Sequence, residues 1–98
     1  MIQSFATPGT RDVFDGRDSK AARRACPRAL WPVARRKLDQ LNQAHVLDDL
    51  RVAPANHLEK LKGHRAGHYS IRINDQYRLC FQWTADGPHA VAIVDYHR

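Results

Sequence analysis

Between Tyr69 and Tyr96 the chain alternates apolar and polar side chains in three runs separated by turn-forming residues. A period of two belongs to strands, because successive side chains of an extended backbone point to opposite faces. Tyr69, Ile71 and Ile73 alternate with Ser70 and Arg72, and Tyr77, Leu79, Phe81 and Trp83 alternate with Arg78, Cys80 and Gln82. Asn74-Asp75 between these runs tolerates the positive φ of a tight turn. Asp86-Gly87-Pro88 marks a second turn, and Ala90–Tyr96 a third strand. Two hairpins in series make an antiparallel meander with one face for a core.

The N-terminal half supplies the cover. Met1–Phe5 alternates mildly and is compatible with another strand. Thr7-Pro8 offers an N-cap followed by proline at the first helical position, predicting a short helix with Val13 and Phe14 buried and an end near Gly16. Trp31-Pro32 opens the clearest helix, with Leu30, Val33, Ala34, Leu38 and Leu41 on one side at helical spacing and a fade near Ala44. Val46, Leu47 and Leu50 form a further apolar cluster ended by Pro54. Residues 17–28 are polar and basic and are interrupted by Pro27; they read as a flexible solvated loop whose Arg17, Lys20, Arg23, Arg24 and Arg28 also suit phosphates. Helices first and strands later predict an α+β fold: an antiparallel sheet of about four to five strands with two or three N-terminal helices packed on one face. Ninety-eight residues allow one domain, 1–98. The other sheet face carries Arg72, Arg78 and Gln82, and no segment remains to cover it, which suggests a basic platform for RNA.

Sixteen Lys and Arg against ten Asp and Glu give a net charge of +6. Such a field draws phosphate backbones, anionic membranes or acidic proteins without choosing among them. No stretch is apolar enough to span a bilayer and Met1-Ile2-Gln3 begins no signal peptide, so the chain reads as cytosolic. Cys26 and Cys80 are too few for a disulfide scaffold, and Cys80, inside a strand, reads as a buried thiol. His64 and His68 are four apart, but Gly63 and Gly67 argue for a loop there, and no cysteine or carboxylate cluster completes a zinc site.

The best-defined motif runs Leu58-Glu59-Lys60-Leu61-Lys62-Gly63-His64-Arg65-Ala66-Gly67-His68 and continues through Tyr69-Ser70-Ile71-Arg72-Ile73-Asn74-Asp75-Gln76-Tyr77-Arg78 to Phe81; Val94-Asp95-Tyr96-His97 closes the chain. Together these closely resemble HigB-type toxins of the RelE-like group, also called plasmid maintenance killer proteins, over nearly the whole chain. The resemblance implies a RelE-like fold and endonuclease activity on mRNA in the ribosomal A site. It also implies inhibition by a co-encoded HigA-like helix-turn-helix antitoxin, with operator DNA engaged only through that complex. By motif position it puts the catalytic lysine on Lys62, the transition-state arginine on Arg78, and the terminal acid, tyrosine and histidine on Asp95, Tyr96 and His97. Arg65, Arg72, Lys60 and His57 are the candidate RNA contacts. One departure matters: active relatives can carry a histidine where Glu59 stands, and a carboxylate beside an RNA phosphate repels it unless it acts as a base.

The chemistry of these residue types is coherent without the likeness. RNA supplies its own nucleophile, the 2′-hydroxyl, so an enzyme need only remove that proton, stabilise the phosphorane charge and protonate the leaving 5′-oxygen, with no metal or other cofactor. An unperturbed imidazole titrates near pH 6.5, so His97 suits proton transfer at neutral pH, and Asp95, two residues away on the same strand face, could orient it. Arg78 offers a planar fork to two phosphate oxygens and Lys62 a point charge. Rival readings stand beside these: Arg78 as a salt-bridge partner of Asp95, Lys62 as an ordinary surface lysine, and His97 as a frayed end. Tyr96 alternates away from Asp95 and His97, which on a regular strand directs it to the core. Trp83 and Tyr69 read as core rather than base-stacking platforms. Three functions follow: an mRNA endonuclease, a catalytically weak module binding antitoxin and ribosome, or a basic nucleic-acid-binding protein without catalysis.

Overall fold

The computed structural model describes residues 1–63 and 67–96. Three helices, α1 (Pro8–Asp15), α2 (Lys20–Ala25) and α3 (Trp31–Gln43), precede four strands: β1 (Glu59–Lys60), β2 (His68–Arg72), β3 (Tyr77–Thr84) and β4 (Gly87–Asp95). The sheet is antiparallel throughout, in the order β1-β2-β3-β4. This is the expected meander, with helices on one face.

Helix α1 begins where the sequence places it: Thr7 Oγ1 accepts from Thr10 N–H, Pro8 occupies the first turn, and Gly16 ends the helix at φ 75°. Val13, Ala22, Ala34, Leu38 and Leu41 pack with Ile71, Leu79, Phe81 and Val91, all fully buried. Trp31 turns inward more than the neighbouring Leu30, and its indole N–H donates to the Cys26 carbonyl at 3.1 Å. Tyr69 and Trp83 flank Phe81 at centroid distances of 6.3 and 6.5 Å and join the core, as alternation predicts.

Two segments differ from expectation. Within residues 17–28, read from sequence as a loop, Lys20–Ala25 is helical. Ser19 caps it by accepting from Ala22 N–H and also donates to Asp12, while Asp18 pairs with Arg23 and Arg28. Gly9 permits the close approach of α1 to α2, since a Cβ there would lie 2.3 Å from the Ala21 carbonyl oxygen. The arginine run is therefore one exposed side of a helix whose Ala22 is wholly buried. Met1–Phe5, read as a strand, keeps only a single parallel bridge, Phe5 to Val91. It still runs beside β4 through Gln3 N–H to Pro88 O, Val91 N–H to Ser4 O and Ala6 N–H to Val91 O. Where that pairing ends, the buried Thr10 hydroxyl takes over and accepts from Ile93 N–H at 3.0 Å.

Candidate active site

The sheet face away from the helices is less bare than the sequence suggests. Ser70 and Cys80 lie on it and are 0% and 3% exposed, because the segment before β1 and the Tyr96 side chain fold over them. Beside this covered patch opens a cavity of about 550 Å³ lined by Glu59, Arg72, Asn74, Asp75, Gln76, Arg78 and Tyr96.

Strand register builds its floor. Arg72 and Arg78 are direct cross-strand partners in β2 and β3, and Glu59 in β1 is opposite Ser70, so all four share one face. Arg78 is only 11% exposed and is held along one side by the protein. Its Nε donates to Ser70 Oγ at 2.8 Å, and its Nη2 donates to the His57 carbonyl at 2.5 Å and, longer, to the Ser70 carbonyl at 3.4 Å. The remaining nitrogen, Nη1, is 3.9 Å from the Glu59 carboxylate. A guanidinium with one edge fixed and the other toward a cavity is preorganised to receive an anion. The Tyr96 ring centroid lies 6.0 Å from that guanidinium.

The acceptor at His57 is itself positioned. His57 adopts φ 45°, directly after Asn56, which is 1% exposed. Asn56 Oδ1 accepts from Lys37 Nζ at 2.6 Å, and its amide donates to Gln40 Oε1 and the Leu50 carbonyl, each at 3.1 Å. Burial, helped by Arg36 and Arg72, holds the Lys37 ammonium below its ordinary pKa. A chain of contacts thus runs from α3 through Asn56 and the His57 backbone to Arg78. The far rim depends on the β2–β3 turn, where Asn74 Oδ1 accepts from Gln76 and Tyr77 N–H, and the Gln76 carbonyl accepts from Tyr96 N–H. Arg72 pairs there with Asp75.

The candidates named from sequence are thus divided. Arg78, Arg72 and Tyr96 come together. Tyr96 lies on the open face, not in the core, because Val91 and Ile93 set the inward parity of β4. That same parity puts Asp95 on the helix side, in a separate cleft with Pro8, Gly9, Ala21, Arg24, Ala25 and Ile93, its carboxylate accepting from Gln76 Nε2 at 3.2 Å. The acid paired with Arg78 is Glu59. Lys62 and Lys60 are exposed at and just after β1 and do not line the cavity, and His57 contributes its carbonyl. Arg65 and His97 lie outside the described residues. Ser70, Asn56 and Gln76 were not anticipated; Ser70 was findable, since it shares parity with Arg72. Among the described residues no group of three His, Cys, Asp or Glu could hold a metal, and no helix is long and apolar enough to cross a membrane.

A family model described as the RelE-like toxin of type II toxin–antitoxin system HigB matches residues 4–97. Toxin HigB-1 of Vibrio cholerae is 41% identical over 75 residues, covering 76% of this chain and 78% of that protein. An uncharacterized protein of Haemophilus influenzae is 46% identical over 57 residues, 58% of this chain and 56% of its own length. Among solved structures, a chain of the YoeB-YefM complex from Staphylococcus aureus superposes with a TM-score of 0.60 over 100% of this chain and 99% of that one. At 17% identity that likeness speaks for the shared α+β, RelE-like fold alone. With the family model spanning nearly the whole sequence and the Vibrio cholerae toxin 41% identical over 76% of it, the chain belongs to the HigB-like family, RelE-like toxins of type II toxin–antitoxin systems.

Proposed function

We propose that this toxin is an endoribonuclease that cleaves mRNA in the ribosomal A site and is neutralised by a HigA-like helix-turn-helix antitoxin, through which alone it engages operator DNA. The observation that carries the reading is Arg78, largely buried, tied down by Ser70 and His57, and directing its remaining nitrogen to an open polar cavity. In this reading the RNA 2′-hydroxyl gives its proton to solvent water as its oxygen attacks phosphorus, the bond to the 5′-oxygen breaks, and a 2′,3′-cyclic phosphate and a 5′-hydroxyl result. Arg78 stabilises the charge that develops on the phosphorane, with Arg72 binding an adjacent phosphate. Tyr96 borders the scissile group. His97 protonates the leaving oxygen, Asp95, accepting from Gln76 Nε2, holds the strand end that precedes it, and Lys62 with Lys60, Arg65 and His57 borders the RNA path. The net charge of +6 favours approach to the ribosome.

Mapping mRNA 5′ ends in cells expressing the chain, Arg78→Ala and His97→Gln tests this. Cleavage inside translated codons, lost in both variants, is the expected result, and its absence from the unmodified chain overturns the assignment. The cleavage rate should also vary between about pH 5.5 and 8 if His97 carries the proton. A second reading, a toxin that binds antitoxin and ribosome but cleaves weakly, is favoured by one observation, the Glu59 carboxylate beside Arg78. Growth arrest that persists without cleavage in His97→Gln supports it.

A further inference from the structure

Every arginine of the cavity already has a carboxylate. Arg72 and Arg78 face each other directly across β2 and β3, an arrangement that destabilises a sheet unless the two like charges are compensated. Asp75 compensates Arg72, and Glu59 lies 3.9 Å from Nη1 of Arg78. Nε and Nη2 of Arg78 are committed to Ser70 and His57, so Glu59 occupies the side from which a phosphate must come. The two acids differ from the arginines in burial: Glu59 and Asp75 are 60% and 98% exposed, Arg78 and Arg72 11% and 35%. A separation of 3.9 Å also exceeds that of a close charge-assisted hydrogen bond. Arg78 is therefore fixed, Glu59 is loosely held beside it, and Asp75, though in direct contact with Arg72, lies almost wholly in solvent, into which it can be displaced.

We propose that Glu59 and Asp75 are built-in counter-charges that occupy the anion site of the free protein and are displaced by an RNA phosphate. The proposal rests on the reading of this cavity as a phosphate site. It gives the two acids a double effect: they stabilise the empty cavity, where paired arginines would repel each other, and they weaken ground-state binding of RNA by competing for the same guanidinium. A residue that merely props the fold would affect stability and affinity in the same direction. A built-in competitor affects them in opposite directions.

The test uses the full chain and a single-stranded 2′-O-methyl oligonucleotide of mixed sequence, which binds but lacks the attacking hydroxyl, with fluorescence anisotropy read at several salt concentrations. Glu59→Gln is expected to tighten binding roughly two- to fivefold, the range of an exposed ion pair. One more effective positive charge should also steepen the dependence of log K on log salt by about 0.7. Asp75→Asn should tighten binding independently, and neither variant should raise the melting temperature. Asp39→Asn, an exposed site on α3, adds the same unit of charge elsewhere. If it gains as much affinity as Glu59→Gln, only net charge is at work and the proposal falls. Unchanged or weaker binding by Glu59→Gln also overturns it. If Arg78→Gln weakens binding while Glu59→Gln leaves it unchanged, the phosphate-site reading stands and the counter-charge proposal alone fails. If Arg78→Gln has no effect, or no variant binds, both fail.

Discussion

Removing one hydroxyl, Ser70→Ala, should reveal how strongly the sheet holds Arg78. Ser70 is fully buried, and its Oγ accepts from Arg78 Nε at 2.8 Å. With Arg78 only 11% exposed, water replaces this acceptor poorly. A hydrogen bond to a charged group contributes about 1.5–3 kcal/mol. The total stability of a domain this size is of the order of 5–15 kcal/mol, so a loss of about 2 kcal/mol is a sizeable fraction. Each kcal/mol shifts the melting temperature of a domain of this length by roughly 4–8 °C, giving an expected drop of roughly 8–16 °C. The alanine also loses packing, so the single variant overstates the bond. A double-mutant cycle separates the two: urea unfolding of the unmodified chain, Ser70→Ala, Arg78→Met and the double variant should give a coupling of about 1.5 kcal/mol or more. Cleavage by Ser70→Ala should fall with it, since a loosened guanidinium no longer waits in place. A coupling under about 0.5 kcal/mol would mean that Ser70 does not anchor Arg78, and the preorganisation argument would be wrong.

Four further outcomes are expected. Asn56→Ala removes three hydrogen bonds at a buried position and should cost roughly 2–4 kcal/mol in denaturant titrations, with cleavage impaired because the His57 carbonyl loses its support. Thr10→Val keeps the shape but leaves the Ile93 N–H without its acceptor; a loss of about 1–3 kcal/mol and faster hydrogen exchange at Ile93 should follow. Gly9→Ala forces a methyl against the Ala21 carbonyl and should destabilise by about 1–3 kcal/mol, seen as a lower melting temperature. Burial pushes the Cys26 thiol from 9.0 to about 11, so native protein at pH 8 should resist iodoacetamide at this residue until denaturant is added. Because the folded value is the higher one, that thiol's contribution to stability is complete below pH 9 and is lost as pH rises toward 11.

Elements with local signals could be read from the residues alone. Alternation placed β2 and β3 nearly to the residue, because one buried face demands a period of two, and the Thr7-Pro8 cap with Gly16 bounded α1 by backbone chemistry alone. The motif around Lys62 and Arg78 pointed to the family that the matching model and relatives then identified. The inward parity of β4 is carried by Val91 and Ile93, and the strand end taken by itself misassigned it, sending Tyr96 rather than Asp95 to the helix side. Other features depend on partners far apart in the chain. Six residues, Lys20–Ala25, are too short to hold a helix by propensity, and α2 exists because Ala22 packs inward and Gly9 lets α1 approach. Likewise Glu59 meets Arg78, and Asn56 meets Lys37, across 19 residues each, by strand register and helix packing. Such meetings are set by where a folded backbone brings its side chains, which no local pattern of residues encodes.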